Sequence, residues 1–357
     1  MVSRDTINKI LEAGIRAPSG ENAQPWRFKL EGETIWLFND SESDQSLYNY
    51  QQNGSFVAHG AAIENMILAA GLLGCVVDVV LFPRSKNLQC VARMTVRQGA
   101  TRNDPLAMVI SKRTTNRKHY DASPLTPMER SELVGAIGAA GGAVRIKLTE
   151  DRQEIGLLAK AASANETMLI TNRHIHDFFF SHVRWTEREN NLQPNGFYIK
   201  TLELKPPQEA GFKLFRYWFA AHFFAAIGAA RTIGKENEAI YATASAMIAI
   251  VAKGKSPSQL VLCGRALERV WLSATRLGLS VQPATGALFL AESVMGAQRE
   301  SFSTAQQREL LGARRVIYET LKIQEGEEHI AVLIRIGRGG DPSARAARFP
   351  LSQFILT

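Results

Sequence analysis

APSGENAQPWRF, residues 17–28, is the stretch on which the fold turns. Pro18 ends whatever helix precedes it, because proline lacks an N–H and pushes the residue before it out of helical angles. Ser19, Glu21, Asn22 and Gln24 then set short donors and acceptors around Gly20, where the missing side chain lets the backbone approach a flat partner. Pro25-Trp26 leads into a strand, Arg27-Phe28-Lys29-Leu30. An ordinary helix-to-strand turn accounts for the Pro and Gly, but not for the whole set of Ser, Asn, Gln, Pro and Trp.

Outward from this loop the chain alternates between helical and strand patterns. Upstream, Ile7, Ile10, Leu11 and Ile15 follow helical spacing behind a Ser3 or Asp5 cap. Downstream, strands at 26–30 and 34–38 flank a turn at 31–33 and form a hairpin. A helix over 56–73 stopped by Gly74 and a strand over 76–82 complete the first set. After the polar link TRNDP at 101–105 a similar order begins again. KRTTNRKHY at 112–120 precedes a proline turn, a helix over 128–140 ending in Gly141-Gly142, a strand over 144–148 and a helix over 151–172. Residues 173–250 interrupt the pattern. It resumes with a helix over 258–277 stopped by Gly278 and strands at 279–282 and 330–336. Element order, more than residue identity, argues that the second part copies the first with an insertion.

With 357 residues, 45% apolar and 21% charged, the composition is that of a folded globular chain. The net charge of +8 suits an anionic ligand, a membrane surface or nucleic acid. The basic residues are spread along the chain with no run interleaved with stacking aromatics, so nucleic acid is not expected. Cys75, Cys90 and Cys263 lack C-x-x-C spacing and read as core residues in a reducing compartment. Residues 1–9 lack the apolar run of a secretory signal, and a cytoplasmic location is expected. Residues 212–233, FKLFRYWFAAHFFAAIGAARTI, approach the ~20 residues a bilayer span needs. Arg216 and His222 would lie inside it, and a charge at mid-membrane costs about 2.5–3.5 kcal/mol, which favours a covered or lid-forming helix.

The 17–28 loop closely resembles the signature loop of the flavin-dependent nitroreductase superfamily, whose members bind FMN where two related halves meet. Pro18, Ser19, Asn22 and Gln24 are the positions the resemblance points toward the flavin. Three further motifs agree. In KRTTNR, Arg113, Thr115 and Arg117 alternate, so an extended segment turns all three to one side, as a phosphate and ribityl chain require; this is similar to the R-x-S-x-R/K element of the family. In GLSVQPATG at 278–286, Pro283, Thr285 and Gly286 correspond to the turn that offers backbone N–H groups to the flavin edge. Near the C-terminus, Arg348-Phe349-Pro350-Leu351 resembles the family's R-x-P-L segment, whose basic residue contacts the cofactor phosphate, and Arg345 is a second candidate.

Each part lacks what the other has. The first opens without an R-x-S-x-R element, and the second has AGGAVRIKL where an APS-N-QPW loop would stand. The resemblance therefore implies an α+β, nitroreductase-like fold with two fused halves, 1–105 and 106–357, packed as an internal pseudo-dimer with one FMN and a lid-like insertion at 173–250. This is the pattern of the twin-domain subgroup, which the chain resembles alongside Acg-type and MoeY-like proteins. The implied activity is an FMN-dependent oxidoreductase moving hydride between NAD(P)H or a small organic substrate and the flavin. Catalytic side chains are not assigned, since the flavin carries the chemistry. The alternative is a protein that sequesters FMN under its lid with little turnover, and membrane attachment through 212–233 is a weaker third reading. A monomer or loose homo-oligomer is expected. No metal is expected: His174 and His176, two apart on a helix, face different directions, and His182 shares their amphipathic segment. Glycines 135, 138, 141 and 142 follow a helix, whereas a dinucleotide loop follows a strand.

Overall fold

Helix α1, Arg4–Gly14, is capped by the Ser3 side chain and buries Ile7, Ile10 and Leu11 along one stripe. The loop behind Pro18 delivers the chain to β1, Trp26–Glu31, and β2, Thr34–Asn39, an antiparallel hairpin closed by Gly32-Glu33. Helix α2, Asn53–Leu72, follows, and then β3, Cys75–Leu81, and β4, Cys90–Gln98. These coordinates are a computed structural model describing residues 1–84, 87–138 and 144–356. The first sheet has the order β1-β2-β4-β3, every neighbour antiparallel.

The second set repeats this plan. Helix α3, Pro127–Gly135, opens with a capping box at Thr126 and Glu129, and β5 is Val144–Thr149. The end expected for α3 at Gly141-Gly142 lies outside the described residues. A long excursion then runs through α4, Arg152–Ala162; α5, Ala164–Thr171; and α6, Arg173–Ser181. It continues through β6, Val183–Arg184; α7, Glu187–Leu192; β7, Phe197–Tyr198; α8, Pro206–Phe215; α9, Trp218–Ala226; and α10, Ala229–Ala242. The sheet resumes at β8, Ala246–Lys253, and α11, Pro257–Arg276, leads to β9, Ser280–Pro283. Helices α12, Gly286–Met295, and α13, Thr304–Thr320, precede β10, Glu328–Gly337. The order β5-β8-β10-β9, again wholly antiparallel, is the first sheet's order with each strand replaced by its counterpart.

The structure moves two sequence boundaries. Residues 246–250, placed in the insertion by sequence, belong to β8, so the interruption lies between β5 and β8. Strand β8 was hidden because it is buried on both faces: Ala246, Ile248, Ile250 and Ala252 enter the core shared with the first sheet, while Met247, Ala249 and Val251 enter a second core with α4, α12 and α13. The helix expected over 151–172 is two helices meeting at Ser163. Strand β4 completes the repeat, and helices α12 and α13, which the first set lacks, stand between β9 and β10; none of the three has a counterpart in the sequence reading.

Helices α2 and α11 hold equivalent places in the two sets and cross each other at glycine. A Cβ on Gly60 would stand 2.0 Å from the carbonyl oxygen of Val261, and one on Gly264 would stand 1.9 Å from that of Val57. The backbones touch, and no other residue fits. Helix α2 buries 16 of its 20 residues. Among the described residues, the helix Tyr50–Leu72 alone has the length and hydropathy to cross a membrane, and 83% of that window is buried inside the protein. Beside the crossing, buried Glu64 accepts from Arg265 Nε at 2.8 Å and Arg269 Nη1 at 2.9 Å, a pair of partners that compensates its desolvation.

The C-terminal segment returns to the first sheet. Leu356 donates its N–H to the Phe28 carbonyl at 2.7 Å, and Phe354 packs edge-on against Trp26. Residues 349–356 thereby cover the outer edge of β1, which would otherwise offer free backbone groups to another chain.

The glycine crossing makes a sharp prediction. Gly60→Ala should lower unfolding free energy by about 3 kcal/mol or more, since the clash is with backbone. Gly312→Ala, mid-helix with open space at its Cβ, should be neutral or stabilising by up to about 1 kcal/mol. Urea unfolding of both variants beside the parent checks the contrast; equal effects would refute the crossing.

Candidate active site

One cavity of about 1090 Å³ opens where the two sheets' loops meet. Its walls come from Pro18, Ser19 and Asn22 of the opening loop, Arg113, Thr115 and Arg117 of the KRTTNR segment, Pro283, Thr285 and Gly286 after β9, and Arg345 and Arg348 of the tail. Four stretches separated by hundreds of residues converge on one space. Gln24 is the exception, buried behind the loop. Its amide donates to the Pro194 carbonyl at 2.6 Å and its oxygen accepts from Phe349 N–H at 3.1 Å, so it acts as a strut between insertion and tail. Gln24, expected to face a cofactor, does not line the cavity and has its amide bonded to Asn22, Pro194 and Phe349.

The opening loop is held in an unusual backbone. Glu21, Asn22 and Gln24 all have left-handed φ, +49°, +59° and +56°. Such angles cost non-glycine residues free energy and persist only where surrounding contacts over-determine them. The contacts are here. Asn22 donates to the Pro194 and Ala347 carbonyls at 3.1 and 3.0 Å, and its oxygen accepts from Arg348. The N- and C-terminal motifs therefore clasp each other directly.

The KRTTNR segment runs alongside β9. Thr115 bridges to Val281 and Asn116 N–H donates to the Val281 carbonyl at 2.9 Å, which turns Arg113, Thr115 and Arg117 into the cavity. Arg113 lies under the floor: its guanidinium stacks 4.5 Å from the Trp271 ring and donates to the Arg16 carbonyl at 3.0 Å. Arg117 donates to the Thr201 carbonyl at 3.0 Å and sits 5.5 Å from the Phe197 ring, both in the insertion. Arg345, more exposed, donates to the Ser111 carbonyl at 2.9 Å.

The turn after β9 is the start of helix α12. Thr285 is committed to β10, its hydroxyl donating to the Leu333 carbonyl and accepting from the Leu333 N–H, each at 3.0 Å. Gly286 begins the helix, and a Cβ there would run into the Asn165 amide at 2.4 Å. A helix N-terminus at a cavity wall supplies unpaired N–H groups and a positive field.

Charge in the cavity is arranged in two regions. Arg16, Arg113 and Arg348 stand close together with one buried carboxylate, Glu268, 3.4 Å from Arg113 Nε. Burial, then the neighbouring Arg113 and Arg16, lowers Arg348 to about 9. Burial pushes Glu268 up to about 7 against the pull of Arg113. The Nε atoms of Arg113 and Arg348 are buried without a hydrogen-bond acceptor. Three crowded guanidinium groups, of which Arg113 and Arg348 each keep an Nε without a hydrogen bond and Arg113 Nε faces Glu268 at 3.4 Å, match a polyanion such as a phosphate. On the opposite side, burial raises Glu166 to about 7, with Tyr241 donating to it at 2.7 Å. Glu21 is likewise raised, by burial and by the Asp44 charge.

Sequence reasoning missed Glu268, Trp271, Tyr241 and Glu166. Glu268 had a signal: with Gly264 and Trp271 it falls on the buried stripe of α11, where a carboxylate is out of place unless a cation meets it. The cover also differs from expectation. Phe179, Phe197, Phe212 and Phe215 face the cavity, whereas Phe178 stacks on His182, Trp218 packs on His176 and His222, and Phe223 faces solvent. His176 is bonded through Nε2 to the Phe215 carbonyl at 2.8 Å.

Raised carboxylates fix a direction for stability. A folded-state value of about 7 for Glu268, above its ordinary 4.5, means the folded chain holds a proton the unfolded chain releases; stability is therefore lost as pH rises from about 4.5 to 7. Glu268→Gln should flatten that slope in the flavin-free protein, as followed by urea midpoints across the window. An unchanged slope would show that Glu268 is ionised throughout.

The model for the nitroreductase family matches residues 1–35, which include the opening loop. "Uncharacterized protein MT1398" of Mycobacterium tuberculosis (strain CDC 1551 / Oshkosh) is 26% identical over 78% of this chain and 38% of its own length. From the same organism and strain, "Putative NAD(P)H nitroreductase MT3217" is 30% identical over 39% of this chain and 40% of its length, and "Putative NAD(P)H nitroreductase acg" is 28% identical over 50% and 54%. The chain thus spans about half or less of the curated relatives it matches. Among solved structures, the FMN and NADPH-dependent nitroreductase NfnB from sphigopyxis sp. strain HMH overlays 71% of this chain and 98% of its own at 13% identity with a TM-score of 0.41, a looseness that carries no argument. The family match on the clasped opening loop and these mycobacterial relatives show that parts of the chain are similar to members of the nitroreductase family.

Proposed function

We propose that the cavity binds one FMN and that the chain is an FMN-dependent oxidoreductase of the twin-domain subgroup, its halves 1–105 and 106–357 standing where two subunits stand in other members. The observation that carries this reading is the arginine group with orphaned Nε atoms, met from the other half by the strained opening loop. Arg113 and Arg348, with Arg345 at the rim, would hold the phosphate, and Thr115 and Arg117 would face the ribityl chain. Gly286 and the N-terminus of α12 would offer backbone N–H groups to the ring edge, where a side chain would obstruct substrate. Bound FMN supplies reversible hydride acceptance and delivery. The chain's own part is to bind, orient and dry the site. Phe179, Phe197, Phe212 and Phe215 exclude water above it, and Glu166, protonated about half the time near pH 7, can exchange a proton within the cavity.

NAD(P)H as electron donor is supported by the names of the mycobacterial relatives. The phenylalanine cover also favours a second reading, in which FMN is sequestered with little turnover. Anaerobic mixing of the yellow protein with NADPH or NADH separates the two: bleaching within seconds supports the enzyme, and a stable yellow colour supports sequestration.

Purified protein should carry one FMN per chain, and FAD or two flavins would overturn the assignment. Charge-assisted hydrogen bonds are worth about 1.5–3 kcal/mol, so Arg113→Ala or Arg348→Ala should each weaken FMN binding by roughly tenfold or more. Equilibrium dialysis measures this, and flavin retained as in the parent by both variants would remove the phosphate assignment. Phe212→Ala should change the rate of flavin reduction by severalfold with FMN affinity within about twofold of the parent; stopped-flow traces that overlay the parent's would deny Phe212 a gating role.

A further inference from the structure

Helix α9 is built with its aromatic side outward. Its inner face is small: Ala220 and Ala221 are the residues it buries, and Trp218 closes against His176 of α6. Its outer face carries Phe219, 79% exposed, and Phe223, 58% exposed, one turn apart, and Ile227 at the helix end is 65% exposed. Leu214 and Tyr217, exposed at the junction with α8, precede it in the chain. Scattered apolar residues on a surface are ordinary, but five large ones within fourteen positions, three of them in register on one helix, are not.

Cations outnumber carboxylates around this surface: Lys213, Arg216, Arg231 and Lys235 stand against Glu209, which pairs with Lys213 at 2.7 Å, and Glu236 and Glu238 beyond Lys235. All four cations are exposed, and the Arg216 guanidinium lies 4.6 Å from the Tyr217 ring, at the border of the apolar surface. Aromatic and aliphatic side chains outward on a short helix, ringed by long basic side chains, form the pattern of a helix lying in the plane of a lipid headgroup layer.

We propose that the α8–α9 surface docks on an anionic lipid bilayer, with Phe219, Phe223 and Ile227 entering the headgroup boundary and Arg216, Arg231 and Lys235 meeting lipid phosphates. The chain lies on the membrane and does not cross it, since the inner face of α9 is packed on α5 and α6. Helices α8 and α10, on either side of α9, line the cavity with Phe212, Phe215, Ile233 and Asn237. The docked surface is therefore the outer side of the cavity cover. Docking itself does not depend on what the cavity holds, and it can be read with or without flavin.

The test is sedimentation of the full chain with vesicles of phosphatidylcholine containing phosphatidylglycerol, beside vesicles of phosphatidylcholine alone. Expected is binding to the anionic vesicles that falls at high salt and is at least tenfold weaker on neutral ones. Phe219→Glu combined with Phe223→Glu should reduce that binding tenfold or more while the thermal midpoint stays at the parent's, because both side chains are already in water. Arg231→Gln combined with Lys235→Gln should also reduce it, and this pair keeps the test decisive if the first does not fold. Protein left in the supernatant with anionic vesicles, or bound equally in both double variants, overturns the proposal. So does a dimer in gel filtration that Phe219→Glu with Phe223→Glu turns into a monomer.

Discussion

The backbone contact between Gly60 and Gly264 is the constraint on which the rest of the molecule depends. Two 20-residue helices can approach this closely only where both lack a side chain. Each helix occupies the same position in its own four-stranded sheet, so their crossing fixes how the sheets face each other and makes one core of them. The charges near the crossing follow from it. Glu64 on α2 reaches Arg265 and Arg269 on α11, and Glu268, one turn along α11, reaches Arg113. The first network is saturated and structural. The second is under-satisfied and borders the cavity.

That difference explains how one scaffold gives both rigidity and a site. A saturated buried ion network adds specificity at little net cost, whereas orphaned donors in a low dielectric are costly until a ligand meets them. The cavity gathers such atoms on one side, Arg113 and Arg348 Nε beside Glu268, and the carboxyl of Glu166, raised by burial, on the other. Stability withheld from the empty fold in this way becomes affinity when a complementary anion arrives. The asymmetry of the duplicated halves fits this economy: the first contributes the strained loop, and the second contributes the cations and the cover.

What was legible in the sequence follows local physics. Helix α1, the hairpin, α2, β3, α11 and β10 carry clear periodicity and punctuation by Pro18, Gly32, Gly74 and Gly278. Strand β8 was unreadable as a strand because both faces are buried, which leaves AMIAIVAK without alternation. Strand β4 was obscured by Arg93 and Arg97 on its solvent side. The site was legible where motifs carry unusual residue sets. Positions from four distant motifs meet in one cavity, while Gln24 turns out to brace the loop, and Asn22 and Thr285 reach the wall with their polar groups already paired. Glu166 and Tyr241 could not have been found this way. Their meeting depends on the path of an excursion of nearly a hundred residues, which no local pattern specifies.

The strand pairing between Phe28 and the chain's last described residues has a consequence for how the protein is made. As the chain leaves the ribosome, β1 and β2 can form early, yet the outer edge of β1 stays open until Leu356 has emerged. Until then the nascent first sheet presents an unpaired, aromatic-rich border with Trp26 and Phe28 beneath it, the kind of edge that recruits other nascent chains or chaperones. Contacts of such long sequence separation also form slowly. The same closing step seats Arg348 against Asn22, so the burial of that border and the completion of the cation cluster are one event: a chain stalled before its tail would be at once sticky and unable to assemble its cavity.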